Sequence, residues 1–513
     1  MMATPSQPNQ NAVQQLIHLL NNGQLVQAES SAKSLIAQHA NTFILHHVLA
    51  LALDGQGKFG EAVESYQNAL KLQPSAPSSV SGADLHFNLG IALANLNRLD
   101  DAESSYQQAI RLNPSFFEAH GNLGTILQRQ GKLDAAIASY QAGLKINPQD
   151  ARGHFNLGTA LRDNGALSDA AQSYLKAIAL FPNYTDAHNN LGETFRDQGD
   201  MEEAVKAYQA ALTLNLSHAN ANYNMAEFLV LAEKFEEATP YFERSQLDDW
   251  QARILYCLYK AEKFDEFATK RAEVLRQKPH TAPFLATLST HYSVNFNEAD
   301  PYNFCKNGLD FVYHKAIPEL AKNSVLLAEL LRDINTAEIA ERKQGRLTNG
   351  QQSAGNLFKR PEASFRALAE LIKKEFLAYQ ARFKNADCEL IQAFPTELEF
   401  TSSWYVKMQQ GGHLSAHIHE IGWISGAVYL AMPSSNGVEG AFEYGTHGDD
   451  YPIVAPKTQI DFPVAHVMPN VGDIVLFPSS LFHRTIPFNA NEERICIAFD
   501  LKPKTATGIK NSY

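Results

Sequence analysis

Cysteine is scarce: four in 513 residues (Cys257, Cys305, Cys388, Cys496), far apart and with no Cys-x-x-Cys pair. That excludes a disulfide frame or a thiolate zinc site, and predicts reduced thiols that behave as small buried hydrophobes in a cytoplasmic setting. No run of eighteen apolar residues occurs, so a membrane span is not expected. The start, Met1-Met2-Ala3-Thr4-Pro5-Ser6, has neither the basic nor the apolar stretch of an export signal. Positive charge is not in excess either. Forty-three Lys and Arg against 55 Asp and Glu leave a net charge of −12, which disfavours nucleic acid or an anionic membrane as a partner. At this length one core does not suffice, and two or three domains are expected.

What is abundant is repetition. Pro114, Pro148 and Pro182 recur at a 34-residue step, as do Gly124, Gly158 and Gly192, and Gly131, Gly165 and Gly199. Ala102, Ala136, Ala170, Ala204 and Ala238 keep the step, and so do Tyr106, Tyr140, Tyr174 and Tyr208. Each unit reads as two amphipathic helices, for example 151–163 and 167–180, with Asn164-Gly165 as the turn and Pro182 as the stop. Glycine and alanine mark where two helices approach closely, and tyrosine fills the groove beside them. The pattern resembles the tetratricopeptide repeat and covers residues 11–280, with weaker units at 12–40, 42–74 and 250–279. An insert at 75–82 breaks the period and is expected to be a loop.

Asn88, Asn122, Asn156, Asn190 and Asn224 form one further ladder at the same step. Asparagine is a mediocre helix former, so its repetition inside helices needs a reason. Stacked repeats would set the five amides in a row, each offering a donor and an acceptor to the main chain of an extended peptide. The row resembles the asparagine ladder in the superhelix of O-GlcNAc transferase, which implies a protein or peptide partner. The bland alternative is that each amide bonds a neighbouring helix.

From about residue 280 the repeat is lost, and 281–344 reads as a helical connector with helices at 284–296, 302–314 and 317–332. Residues 343–356, with Gly345, Gly350 and Gly355, read as a long loop. A strong amphipathic helix at 364–382 carries Phe365, Leu368, Leu371, Ile372, Phe376 and Leu377 toward a sheet. Short alternating strands follow at 389–394, 400–408, 424–431, 441–444, 474–477, 482–487 and 494–501, with Gly411-Gly412 among the turns. That many short strands predicts a double-sheet barrel or jelly roll.

Within it, His417 and His419 are two apart and face the same way on an extended chain, while Glu420 faces outward. With the distal His483 they could form one face of an octahedron and leave positions open on a metal. If 489–492 is a hairpin loop, Arg494 lies opposite Pro487 on the face shared by Thr485 and His483. A buried guanidinium there is costly unless an anion meets it, as a small dicarboxylate chelating the metal would. His413, His447 and His466 read as surface or loop histidines, and Trp404, Tyr405 and Trp423 as core or pocket wall.

Gly411-Gly412…His417-x-His419, Ser425-Gly426-Ala427-Val428-Tyr429-Leu430, Pro469…Gly472-Asp473-Ile474-Val475-Leu476-Phe477-Pro478, His483 and Glu493-Arg494-Ile495 together resemble the 2-oxoglutarate/Fe(II) oxygenases of bacteria and phages, over residues 345–503. The resemblance implies a double-stranded β-helix in which His417 and His483 hold Fe(II) and Arg494 binds the distal carboxylate of 2-oxoglutarate. Tyr429 would supply a second hydrogen bond to it. The usual pattern is His-x-Asp or His-x-Glu, and this chain has His419 instead. A three-histidine site, a two-histidine site completed by water, and a shifted site using His419 with Glu420 all stay open, the first being favoured.

The expectation is therefore a multidomain α + β chain. An N-terminal all-α tetratricopeptide superhelix (11–280) is followed by the connector and by a C-terminal jelly roll with supporting helices (345–505). The function expected is a dioxygenase that uses Fe(II), 2-oxoglutarate and O₂ to hydroxylate a protein or peptide. Two rivals are a non-enzymatic scaffold with a degenerate barrel, and a cupin-like metal enzyme without a cosubstrate. The cupin reading fits the Gly411 to His417-x-His419 spacing but leaves Arg494 without a role.

Overall fold

The computed structural model describes residues 8–72, 81–247, 249–277, 281–336, 341–342, 345–353, 356–420, 422–435, 437–454 and 461–504. Residues 75–80 of the expected loop lie outside these, and Ser81 already caps the next helix in a capping box with Asp84. The chain divides into two compact units, Met1–Phe228 and Leu229–Tyr513. Among the described residues no helix is long and apolar enough to cross a membrane.

The first unit is a stack of helix pairs. The pair Ala151–Asp163 and Leu167–Leu180 has the bounds read from the sequence. Gly165 turns the chain between them at φ +80, a left-handed conformation that glycine adopts without strain. The same physics explains the glycine-to-tyrosine step of sixteen residues. A Cβ at Gly124, Gly158 or Gly192 would stand 2.7, 2.9 or 2.6 Å from a ring atom of Tyr140, Tyr174 or Tyr208. Each glycine is thus the socket for a buried tyrosine ring. Gly192→Ala should cost about 1–3 kcal/mol, because neither the ring nor the Ala204 carbonyl, 3.0 Å from that Cβ, can withdraw freely. Gly60→Ala, where the added carbon meets nothing within 4 Å, should be neutral or stabilising. Denaturant unfolding of the two variants tests the contrast, and equal stabilities would refute it.

The second unit carries the helices Phe235–Ser245, Trp250–Lys260, Phe264–Gln277, Pro283–Asn295, Val325–Thr336, Ala363–Phe383 and Glu389–Gln392. It also holds ten strands among the described residues: β1 (Tyr313–Ala316), β2 (Glu341–Arg342), β3 (Leu347–Ser353), β4 (Leu398–His417), β5 (Ile424–Ala431), β6 (Phe442–Gly445), β7 (Val464–Val467), β8 (Asp473–Pro478), β9 (Phe482–Thr485) and β10 (Arg494–Pro503). Pairing is antiparallel throughout, in the order β1-β8-β5-β10-β4-β9-β6-β7, with β3 also on β4 and β2 on β3. The sheet curls into a nearly closed, jelly-roll-like barrel.

Alternation along β10 shows how the barrel is packed. Ile495, Ile497, Phe499 and Leu501 join the core that contains Phe365, Leu368, Ile372 and Phe376 of the long helix. Burying each such side chain stabilises by about 1.5–3 kcal/mol over leaving it exposed. Arg494, Cys496, Ala498 and Asp500, the alternate residues, line the interior cavity.

Several sequence expectations are corrected here. Residues 389–394 are not a strand: Leu390 and Ile391 are both buried, which one turn of helix allows and alternation forbids. Residues 302–314 are not a helix. Asn307 sits at φ +54, a short 3₁₀ turn follows at Gly308–Phe311, and β1 then pairs with β8. The helix expected at 317–332 begins only at Val325, after Pro318 and the left-handed Asn323. The expected loop 343–356 contains β3, whose Gly350 lets it lie close to β4: a Cβ there would be 2.7 Å from the Lys407 carbonyl. Gly411-Gly412 is not a turn but part of the unbroken β4, with Gly411 at φ +76. β7 went unseen in the sequence.

Candidate metal centre

β4 and β9 bring the histidines together. His417 ends β4 and its direct cross-strand partner is His483 on β9, so their rings lie 4.2 Å apart between centroids. Ser402, Trp404, Val406 and Met408 show that the even-numbered residues of β4 face the cavity. The register shifts between Leu414 and His417, which moves the odd-numbered His417 and, just past the strand end, His419 onto that face. The three imidazoles offer ligand atoms all within 4.8 Å of one another.

Their outer nitrogens fix which atoms are free. His417 Nδ1 lies 2.9 Å from the Ser415 carbonyl and His483 Nδ1 lies 3.2 Å from the Leu481 carbonyl. A carbonyl oxygen can only accept, so each Nδ1 carries the proton and each Nε2 presents a lone pair. His419 Nδ1 meets the Asp500 carboxylate, and its Nε2 stands 3.3 Å from that of His417. Two nitrogens ligating one ion at right angles, each about 2.1 Å away, would be about 3 Å apart. Burial, with His419 nearby, lowers His417 to about 3, and burial holds His483 well below the ordinary imidazole range. Both are neutral at neutral pH, so neither need lose a proton for a cation to bind. The donor set fits a divalent metal.

The cavity has a volume of about 720 Å³ and continues from the histidines to Tyr429 and Arg494. Arg494 is 2% exposed. Its Nε donates to the Gly440 carbonyl at 3.2 Å, Nη1 reaches only the sulfurs of Met408 and Cys496, and among the described residues no carboxylate pairs with it. Its ring neighbour Tyr429, with Arg494 Cζ 5.1 Å from the ring centroid, is fully buried. The Tyr429 hydroxyl has no well-formed hydrogen bond, and burial raises its pKa. A cation and a hydroxyl left short of partners in a dry wall fit an incoming carboxylate. The route to Arg494 differs from that expected. Its partner across the sheet is Met408 of β4, not Pro487, because β9 pairs with β4 and β6 rather than with β10.

Other expected residues lie elsewhere. Glu420 is outside the cluster and ion-paired with Arg253 at 2.6 Å. His413 bonds the Gly411 carbonyl, His466 is exposed on β7, and His447 pairs with the buried His291 at 2.9 Å. Trp404 lines the cavity, its ring 5.6 Å from that of His419, whereas Tyr405 and Trp423 sit in the core. Of the asparagine row, Asn88 and Asn156 are half-buried with no hydrogen-bond partner among the described residues. Asn122 and Asn190 lie beside the hydroxyls of Tyr106 and Tyr174. Asn224 is buried and donates to Asn189 and Glu193.

Asp500 was not foreseen. It accepts from His419 Nδ1 and from the hydroxyls of Ser425 (2.7 Å) and Ser402 (2.8 Å). Burial pushes its carboxyl up, but His419 and these hydroxyls together hold it below the usual carboxylate range. The signal was present in the sequence: counting in twos from Arg494 along β10 reaches Asp500 on the same face.

Comparison with known families agrees with this architecture. Residues 402–500 match the family described as "Putative 2OG-Fe(II) oxygenase". Tetratricopeptide-repeat families match at 15–79, 47–116, 87–151, 122–185 and 185–218. The chain joins tetratricopeptide repeats to a 2OG-Fe(II) oxygenase-type domain. The oxygenase-type segment contains all three clustered histidines, Tyr429, Arg494 and Asp500. No curated protein matches the chain. Similar solved structures include the C-terminal part of a tetratricopeptide protein from Cytophaga hutchinsonii (16% identity, 45% of this chain and 93% of that one, TM-score 0.40). YrrB, described as a TPR protein with an unusual peptide-binding site, is 21% identical over 37% of this chain and 96% of that one, with TM-score 0.33. MamA from Desulfovibrio magneticus RS-1 is 22% identical over 34% of this chain and 96% of that one, with TM-score 0.32.

Proposed function

We propose that the barrel is a 2-oxoglutarate- and Fe(II)-dependent dioxygenase that hydroxylates a protein or peptide recruited by the repeats. His417, His419 and His483 would hold the metal through Nε2. Arg494 would pair with the distal carboxylate of 2-oxoglutarate and the Tyr429 hydroxyl would donate to it. Bound iron, with 2-oxoglutarate and O₂, supplies the oxidising power for C–H hydroxylation, with succinate and CO₂ as the other products. The three nitrogens would hold the metal from one wall, with the cavity toward Tyr429 and Arg494 left for the cosubstrate. The apolar rings of Phe442 and Phe477, which line the cavity beside His483, would keep bulk water away and so strengthen the ion pair that the cosubstrate would make at Arg494. For the repeats, the asparagine row from Asn88 to Asn224 is the surface that would grip main chain, most readily at Asn88 and Asn156, whose amides are uncommitted.

The observation that carries this reading is the buried Arg494, without a carboxylate partner, in the same cavity as three converging imidazoles. Anaerobic calorimetry of the full chain tests it. Fe(II) should bind at a single equivalent, 2-oxoglutarate should bind tightly only to the iron-loaded protein, and admission of O₂ should yield succinate. A chain that binds neither iron nor 2-oxoglutarate would leave the scaffold reading in its place, and one that binds iron but not 2-oxoglutarate the cupin-like reading.

A further inference from the structure

We infer that Asp500 is a positioning residue that sets the third metal ligand and supplies the counter-charge that the ligands themselves lack, an inference resting on the proposed metal role of the three histidines. Three neutral imidazoles bring no negative charge to a divalent cation. Where the usual His-x-Asp or His-x-Glu pattern would supply a carboxylate, this chain has His419. Among the described residues, Asp500 holds the one carboxylate hydrogen-bonded to any of the three rings. His417 and His483 each orient their Nδ1–H on the backbone carbonyl two residues before them, Ser415 in β4 and Leu481 just ahead of β9. His419 lies beyond the end of β4, where its backbone N–H donates to the Ser479 carbonyl, and its ring is oriented by a side chain from β10 rather than by a backbone carbonyl.

The carboxylate is itself fixed. Ser402 of β4 and Ser425 of β5 donate to it from both flanking strands, and Ser425 is held in turn by Ser479 at 2.7 Å. The Asp500 side chain is only 13% exposed. Such a carboxylate pins the ring rotation, keeps the proton on Nδ1, and makes Nε2 a stronger donor than a carbonyl-bound imidazole. The charge usually carried by the third ligand thus sits one hydrogen bond further out, and position 419 can be histidine without leaving the ion uncompensated.

The test uses metal binding by the full chain, with Co(II) alone as the probe, so that no cosubstrate is needed. Asp500→Asn keeps the shape and an acceptor but removes the charge. It should weaken Co(II) about 10–100-fold, the usual effect of losing a partner of a metal-bound imidazole. It should also shift the visible absorption of the bound Co(II), a change that a loss of packing alone does not produce. Ser425→Ala, which keeps the carboxylate and loosens it, should give a smaller loss, and the melting temperature of the metal-free variants shows that they fold. Unchanged Co(II) affinity and spectrum in Asp500→Asn would overturn the inference while leaving the three-histidine site intact. No Co(II) binding by the unsubstituted chain would overturn the metal reading itself.

Discussion

His483→Ala should abolish iron-dependent succinate formation from 2-oxoglutarate. The substitution takes away one of three nitrogens that converge on a common point, together with the cross-strand partner of His417. Loss of an outer partner of a metal-bound imidazole already costs about 10–100-fold in affinity, so loss of the imidazole itself should cost at least about 100-fold. The fold should survive, because His483 is buried and uncharged among Phe442, Phe477 and His417, and no other side chain depends on its charge. Truncation of a neutral ring there costs core packing, about 1–3 kcal/mol. Succinate formed equally by both proteins, at equal iron, would end the assignment.

Arg494→Met has effects of opposite sign on binding and on folding. Removing one partner of a buried charge pair costs about 2–5 kcal/mol, so 2-oxoglutarate should bind the iron-loaded variant roughly 30- to several-thousand-fold more weakly. Metal binding without 2-oxoglutarate should be unchanged, since Arg494 touches none of the three imidazoles among its hydrogen bonds. In the ligand-free chain the same change removes a desolvated cation that no carboxylate meets. Methionine fills a similar volume, so that protein should be no less stable, and by about 1 kcal/mol more so. Calorimetry and thermal unfolding read the two effects separately. Full 2-oxoglutarate affinity in the variant would remove Arg494 from the cosubstrate site, and a large loss of ligand-free stability would make Arg494 structural.

How much of this was legible follows from how each element signals itself. The helix pair at 151–163 and 167–180 was readable to the residue because glycine, alanine and tyrosine recur wherever one ring must enter one socket, as at Gly158 and Tyr174. The strands were readable where one face is apolar, as along β10. They were not where both faces are polar, as in β3, or where two buried neighbours mimic a strand, as at Leu390 and Ile391. The histidine set could be named from spacing, yet its geometry depends on a register shift in β4 that no periodicity reveals. Arg494 was placed on the right wall through the wrong neighbour, because alternation fixes a face but not which strand lies alongside. Asp500 stood in plain sight on that same alternation, but its role appears only once His419 is seen to lie beyond the end of β4.

β4 and β9 meet through only two registered pairs, Leu414 with Thr485 and His417 with His483. A cation between His417 and His483 would therefore act as a rivet across a short seam of the barrel. Chelation of such a cation would then do more than silence chemistry: it would unfasten the wall, and the domain would exchange a stiff vessel for one that breathes along that join.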